Sequence, residues 1–460
     1  MFIARNNLVI MTFVILLFGG SRPIFANANH PGIAGTLRLR LDPFDKKNDA
    51  TFEDRFYIDT QYASGPDAPV IYLLGNEGEL FSLIDGAGFV MTMAKKLHAN
   101  FVALEHRYYG ESIPAQFPEL TADGLKYLTI KNTLADFQAF EHYAKRRFRN
   151  LRGKWLTIGR SYGGGLSVWY RQTYPNETVG AIAAAPGLNI PKETDLWDRY
   201  IVKTLGPECV RDFHAKILDS IEAPYLQGQS MLGWKEKFGA GNIQSDAEFL
   251  TAIGAVSTFL VQMKGPSALC PLLSTQKPTE KFIEALSAMD SEINLTIASW
   301  TDQGIMDPKA SLYKAGPGLR QWAYQTCTEI GDAGIIPTDP TQTIEPTSIA
   351  NYETQEAQCL KVFGIHFTAD PEHGIDEHYF KPLIASNSKV RNVLITEDTA
   401  DPTTTLGVQE AENQNPGLIV YPVEGAAHHQ ELSTPSDNDS QPIQNARQMI
   451  LNTVRAWLQK

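Results

Sequence analysis

The sequence predicts an α/β protein: a parallel β-sheet covered by helices on both faces, interrupted by a largely helical insertion and then resumed. Three observations predict it. Between about residues 55 and 190, short apolar runs alternate with helical patterns. Between about 190 and 385 such runs are scarce, and Pro, Gly and Cys punctuate helical stretches. After 385 the first style returns. A strand buried on both faces reads as a continuous apolar run, and parallel neighbours need a crossover, usually a helix, between them.

The elements follow in order. Pro69 to Gly75, Asn100 to His106, Trp155 to Gly159 and Val179 to Ala185 are apolar runs cut off by turn residues. Thr133 to Arg149 reads as a helix, with Leu134, Phe137, Phe140 and Tyr143 at three-residue spacing. In the middle, Phe213 to Ile221 and Ala247 to Met263 read as helices. Val390 to Thr396 and Leu418 to Val423 are the two late strands. A closing helix from Pro442 carries Ile443, Ala446, Ile450, Val454 and Trp457 on one face.

The chain has 460 residues, 43% of them apolar and 20% charged. That composition excludes disorder, collagen-like repeats and a multi-spanning membrane protein. The formal charge of −12 sets an acidic surface against phosphate backbones, so nucleic acid is not an expected partner. The densest basic run, Lys145 to Arg149, reads as a solvated face after a helix.

The beginning has the order of a secretory signal peptide. Arg5 is followed by a run from Leu8 to Phe18 that is apolar except for Thr12, then by Gly19, Gly20 and Pro23, then by Ala26-Asn27-Ala28. The run is too short to span a bilayer core of ~30 Å. Cleavage after Ala28 would remove Arg5 and Arg22 and take the charge from −12 to −14. The mature protein is expected to be exported and free of the membrane: secreted, periplasmic or lysosomal.

Export makes the cysteines readable. Cys209, Cys270, Cys327 and Cys359 are separated by 61, 57 and 32 residues, and none forms a Cys-x-x-Cys pair. No zinc ribbon or thioredoxin site is expected. An even count in an exported chain predicts two disulfides, with three connectivities open.

The most informative pentapeptide is Gly159-Arg160-Ser161-Tyr162-Gly163, between an apolar strand and a helical pattern. A serine hydroxyl needs a base to take its proton and must project where substrate can reach. A tight strand-to-helix turn does this, flanking glycines remove clashing side chains, and the next N–H, from Tyr162, can face a developing oxyanion. The acid and then the histidine follow later in such a fold. Asp401 follows the first late strand and His428 and His429 the second. Asp398, and more weakly Glu397, compete with Asp401, and the residues alone leave His428 and His429 nearly even. The order Ser161, Asp401, His428 indicates an α/β-hydrolase fold, and the 240-residue gap after the serine is where a helical cap fits. The loop Gly75-Asn76-Glu77-Gly78 is expected to give the second oxyanion donor, from Asn76 or Glu77. The Glu77 carboxylate could instead face substrate and hold a positively charged amino terminus. The chemistry uses no metal and no cofactor.

Several motifs together resemble the serine peptidase family that contains lysosomal Pro-Xaa carboxypeptidase, dipeptidyl peptidase II and thymus-specific serine peptidase. They are Gly75-Asn76-Glu77-Gly78, the run EHRYYGES from Glu105 to Ser112, Ser161-Tyr162-Gly163-Gly164, Gly180 to Pro186, Arg320-Gln321-Trp322 with YQTCTE from Tyr324 to Glu329, and Gly425 to His429. The likeness runs from about Thr51 to the C-terminus. It implies an α/β-hydrolase domain with a helical cap, cleavage next to proline near a peptide end, and Ser161, Asp401 and His428 as catalytic residues. It also implies the pairs Cys209–Cys270 and Cys327–Cys359. The chain departs from the family's Asn-Gly-x-x-Asp-Pro-Trp at Glu397 to Thr403, where a tryptophan is missing, and has Arg160 before the serine and an extra Ala427. Glu105, His106 and Arg107 read as a structural network rather than a catalytic trio.

The expected organisation is a signal peptide over 1–28, a hydrolase domain from 29–190 and 386–460, and a cap over 191–385. The expected function is an exported serine exopeptidase acting on peptides beside proline, with room for a homodimer. An exported esterase or lipase of the same fold is the alternative, because triad chemistry does not choose the acyl substrate. A non-catalytic binding protein would need a broken triad. Both a carboxypeptidase and a dipeptidyl or tripeptidyl aminopeptidase fit the sequence.

Overall fold

The computed structural model describes residues 23–24, 30–350 and 354–459. The expected signal peptide therefore lies outside the described residues, apart from the backbone of Pro23–Ile24, which pairs antiparallel with the first long strand.

One nine-stranded sheet organises the molecule. Its strands in chain order are β1 (Pro23–Ile24), β2 (Ile33–Arg40), β3 (Thr51–Asp59), β4 (Val70–Leu74), β5 (Asn100–Leu104), β6 (Trp155–Arg160), β7 (Ala181–Ala184), β10 (Val393–Asp398) and β11 (Leu418–Val423). A separate parallel pair, β8 (Glu193–Thr194) and β9 (Ala333–Gly334), lies outside it. The spatial order is β1-β2-β3-β5-β4-β6-β7-β10-β11. From β5 to β11 every neighbour is parallel, while β1, β2 and β3 form an antiparallel edge. This is an α/β-hydrolase fold.

The central strands are buried on both faces because every residue but Asn100 is apolar, and alternate residues feed two cores. Val70, Tyr72, Leu74, Trp155, Ala183, Val393 and Ile395 meet Leu134, Phe137 and Phe140 of the helix Ile130–Arg147 and Leu166, Trp169 and Tyr170 of the helix Tyr162–Thr173. Ile71, Leu73, Leu156, Ile158, Ile182 and Leu394 meet Leu83 and Ile84 of the helix Leu80–Gly86, Val90 and Met93 of Gly88–Leu97, and Ile450, Val454 and Trp457 of Gln441–Gln459. The helix Ile130–Arg147 begins three residues before the predicted Thr133, because the Thr129 side chain caps it by accepting the Asn132 N–H. The strand expected from Val390 begins at Val393. Asn392 has φ +59° and turns the chain just before it.

The chain between β7 and β10 is mainly helical. Ile201, Phe213, Ile217, Leu250, Ile253, Phe282 and Leu286 form an apolar cluster distinct from both sheet cores. The end of the stretch behaves differently: Ile330, Ile375, Phe380 and Leu383 pack into the sheet's own core. Cys209–Cys270 and Cys327–Cys359 are disulfides within this region. Among the described residues, no helix is long and apolar enough to cross a membrane.

The strand order reverses at β4. The chain steps from β4 to β5 on one side, then to β6 on the other. Loops leaving β4 and β6 therefore diverge and open a crevice at the carboxyl ends of the strands, where ligands bind in open α/β sheets.

Candidate active site

Ser161 stands at that crevice, between β6 and the helix Tyr162–Thr173. It has φ +54° and ψ −132°, a conformation that costs a non-glycine residue about 1–3 kcal/mol. The turn is tight enough that a Cβ on Gly159 would lie 1.9 Å from the Gly163 carbonyl oxygen. The Ser161 N–H donates to the Ala184 carbonyl at 2.8 Å, and its own carbonyl accepts the Gly164 N–H at 2.8 Å, pinning the serine on both sides.

The expected acid and base come from the next parallel strands. Asp401 follows β10 and is fully buried. Its Oδ1 accepts the Thr403 N–H at 2.9 Å, and its Oδ2 lies 2.5 Å from His428 Nδ1. The loops carrying them are laced together: Thr399 N–H donates to the Val423 carbonyl, Ala400 N–H to that of Ala426, and Gly425 N–H to Thr399 Oγ1. Since β10 pairs with both β7 and β11, and β7 with β6, Ser161, Asp401 and His428 stand over the ends of neighbouring parallel strands.

The competing residues are turned elsewhere. Asp398 is also buried, but its Oδ2 accepts the backbone N–H of His429 at 2.5 Å. Glu397 accepts the Val408 N–H at 3.2 Å. His429 has φ +46°; its ring packs 4.3 Å from that of His428, and its Nδ1 is buried without a hydrogen-bond partner. Burial, with the neighbouring His428 and Arg160, pushes His429 well below the usual histidine range.

The helical insertion reaches this corner at two points. The His428 N–H donates to the Gln262 carbonyl at 3.0 Å, and Gln262 Nε2 donates to Thr403 Oγ1 at 3.1 Å. Tyr200 Oη donates to the Thr399 carbonyl at 3.0 Å.

The loop after β4 lies against the nucleophile helix. A Cβ on Gly163 would meet Asn76 Cβ at 3.2 Å, and a Cβ on Gly75 would lie 2.4 Å from the His106 nitrogen. The approach at Gly75 requires glycine and that at Gly163 is tight, and the latter brings Asn76 beside the start of the helix. Asn76 Oδ1 accepts the Gly78 N–H at 3.2 Å, holding the loop. The next side chain, Glu77, has a buried Oε2 without a hydrogen-bond partner. Burial raises its carboxyl above the usual range, while Arg160 and His428 oppose the rise. Arg160 Nη1 donates to the Gly86 carbonyl at 3.1 Å, and its Nε is buried and unpartnered.

Glu105, His106 and Arg107 form a hydrogen-bond network. Glu105 accepts from Ser112 Oγ at 2.6 Å and the Leu80 N–H at 2.8 Å. Arg107 pairs with Asp136 through Nε at 2.6 Å and Nη2 at 2.9 Å. His106 goes further: its Nε2 is 3.2 Å from Tyr162 Oη, so it touches the residue after the serine. Gln325 and Gln262 were not singled out as site residues by sequence reasoning. Gln325 lay inside the YQTCTE run, but nothing in that run alone says what it touches.

Among the described residues, His214, Asp219 and Glu222 bring possible metal-ligand atoms within 4.8 Å of one another. They belong to the helical insertion, and His214 already faces the Thr343 carbonyl while Glu222 accepts the Ser348 N–H.

The family model described as Serine carboxypeptidase S28 matches residues 39–221 and 256–450. The chain belongs to this family. It is a serine-type peptidase. A probable serine protease of Arabidopsis thaliana, EDA2, is 25% identical over 91% of this chain and 87% of its own length. The thymus-specific serine protease of Mus musculus is 24% identical over 95% of this chain and 90% of its own. The lysosomal Pro-X carboxypeptidase of Bos taurus is 23% identical over 92% and 87%. The S28 match covers both sides of the insertion, so the serine and the late acid and histidine loops all fall within it.

Proposed function

We propose that this chain is an exported serine exopeptidase that hydrolyses peptide bonds next to proline near a peptide terminus. One observation carries the reading: His428 Nδ1 lies 2.5 Å from Asp401 Oδ2, on loops that leave the same sheet end as the elbow serine, in an S28 chain. Ser161 Oγ attacks the scissile carbonyl. His428 Nε2 takes its proton and returns it to the leaving amine. Buried Asp401 holds the imidazole with Nδ1–H toward itself and stabilises the imidazolium as it forms. The oxyanion is held by the Tyr162 N–H and by an N–H of the Gly75–Gly78 loop, from Asn76 or Glu77. Water then hydrolyses the acyl-enzyme by the same route.

Proline preference is supported by the Pro-X carboxypeptidase named among the relatives. Export is supported by the disulfides Cys209–Cys270 and Cys327–Cys359, since such bonds persist in oxidising compartments. With the lysosomal relative, they favour a lysosomal or secreted protein. The buried, unpartnered Oε2 of Glu77, within electrostatic reach of His428, supports a role in holding a substrate's positive amino terminus.

The test is mass spectrometry of products from one proline-containing peptide, offered free and then blocked at each end. Cleavage a fixed distance from a free end is expected. Ser161→Ala is expected to reduce kcat on the order of 10⁶-fold. Near-normal hydrolysis by that variant would sink the assignment. Turnover of short acyl esters with every amide refused would move the chain to the esterases.

A further inference from the structure

One short helix of the insertion, Leu319–Gln325, grips both sides of the crevice. At its start, the Gly318 N–H donates to the Glu77 carbonyl at 2.9 Å, fixing the backbone of the Gly75–Gly78 loop. A Cβ on Gly318 would lie 2.7 Å from the Tyr109 ring, so the approach requires glycine. At its end, Gln325 Nε2 donates to Tyr162 Oη at 2.9 Å. Between them, Trp322 packs edge-on against Tyr162, with centroids 5.4 Å apart.

Every hydrogen bond at Tyr162 has a direction that can be worked out. His106 Nδ1 is 2.8 Å from the Arg107 carbonyl, which can only accept, so Nδ1 carries the proton. His106 Nε2 is then the acceptor, and Tyr162 Oη donates to it at 3.2 Å. The ring is fully buried, and burial lowers it to about 3, so it stays neutral. The Tyr162 oxygen is left to accept from Gln325. Gln325 Oε1 in turn accepts from Tyr109 Oη at 2.6 Å. Each partner has one role, and the phenol is held at one position from both the sheet domain and the insertion.

We propose that Gln325 and His106 are positioning residues for the oxyanion hole, acting through the Tyr162 side chain on the Tyr162 N–H. The inference rests on the proposed reading of that N–H as an oxyanion donor. It makes catalysis depend on the seating of the helix Leu319–Gln325, which holds the other donor loop through Gly318. A donor that is misaligned rather than absent loses part of the 10²–10³-fold that removing one costs. The loss falls on kcat, because the bond strengthens only as negative charge develops.

The experiment compares Tyr162→Phe, Gln325→Met and the double variant with the full-length parent, using Ala-Pro p-nitroanilide and benzyloxycarbonyl-Pro-Phe. Circular dichroism and thermal melting establish that each variant is folded. For each single variant we expect kcat to fall about 10-fold or more with KM within about 2-fold. The double variant should fall no further than the worse single, because both substitutions break the same link. Gln325→Glu keeps the acceptor for Tyr109 and loses the donor to Tyr162, and it should resemble Gln325→Met. It also serves if Gln325→Met does not fold. Folded Tyr162→Phe with parental kcat overturns the proposal, as do losses that multiply in the double variant or that appear only in KM. If the parent cleaves neither substrate and a fluorophosphonate fails to label Ser161, the reading of the site falls instead, and with it this inference.

Discussion

The carboxyl groups of Asp398 and Glu431 are both fully buried and close enough to perturb each other. Asp398 Oδ2 takes the His429 N–H, and Glu431 Oε1 takes the Thr396 hydroxyl. That leaves Asp398 Oδ1 and Glu431 Oε2, both buried, with no other donor. A proton shared between them would satisfy both oxygens. Burial first, and then mutual repulsion, lifts Asp398 well above its ordinary range; burial lifts Glu431 as well.

This arrangement predicts a protein most stable in acid. A carboxyl raised by folding keeps its proton in the native state after the unfolded chain has released it. Its stabilisation is therefore complete below about pH 4 and is lost as pH rises through the native value. Glu105, fully buried and raised to about 7, has the same sign over the window from 4.5 to 7. His106, lowered to about 3, and His429, also lowered by burial, oppose them: the unfolded chain gains protons below about 6.5 that the native state refuses. The three carboxyls outnumber the two histidines. Thermal melting should give a higher Tm at pH 5 than at pH 8. Asp398→Asn supplies a permanent donor to Glu431, and should reduce the slope by roughly 1.4 kcal/mol per pH unit. A Tm that rises steadily from pH 5 to pH 8 would contradict the shared proton.

Asp398 and Asp401 predict opposite kinetic outcomes. Asp401 touches His428 Nδ1, whereas Asp398 touches only backbone and Glu431. Asp401→Asn should lower kcat about 10⁴-fold by favouring the wrong imidazole tautomer. Asp398→Asn should keep kcat within about tenfold of the parent. Steady-state kinetics on one peptide substrate distinguish them, and a reversal of the two effects would exchange the roles of the carboxylates.

Why the sequence left that choice open is instructive. Runs such as Val70–Leu74 and Ala181–Ala184 were legible because a strand buried on both faces has no polar alternation to confuse it. The strands β2 and β3 were not, because they form an antiparallel edge with mixed burial and charged residues such as Arg38 and Glu53. The order serine, acid, histidine was legible because loop position after a strand decides it. Asp398 against Asp401, and His428 against His429, is decided by which way each side chain leaves its loop. Only Thr399 and Ala400 separate the aspartates, and a carboxylate against a ring nitrogen has no sequence period. Gln325 was invisible as a site residue for a related reason: its partner, Tyr162, is 163 residues away.

Glu77 predicts which end of a peptide is read. Its Oε2 is buried and unpartnered, so a substrate ammonium would satisfy it. Glu77→Gln removes the charge and keeps the shape. KM for a peptide with a free amino terminus should rise about tenfold or more, while an N-acetylated peptide should be unaffected. Because burial raises the Glu77 carboxyl, binding of the free amine should weaken as pH falls through that raised value. Equal KM changes for both peptides would remove the amine-binding role.

The two disulfides predict different losses. They close loops of 61 and 32 residues, for which chain entropy gives roughly 4 kcal/mol each. On stability alone they should be nearly interchangeable. On activity they should not be. Cys209–Cys270 ties the helix Pro207–Phe213 to the turn Cys270–Ser274, within the insertion's own apolar cluster. Cys327 lies two residues beyond Gln325, and Gln355 Nε2 lies 3.8 Å from the sulfurs of both Cys327 and Cys359. Loosening this bond frees the end of the helix that holds Tyr162. The pair Cys327→Ser and Cys359→Ser should therefore lower kcat well below that of Cys209→Ser and Cys270→Ser at matched loss of Tm. Melting curves and kcat measured on both double variants at a temperature where each is folded make the comparison. Equal kcat in the two would mean that the helix keeps its seat without the bond.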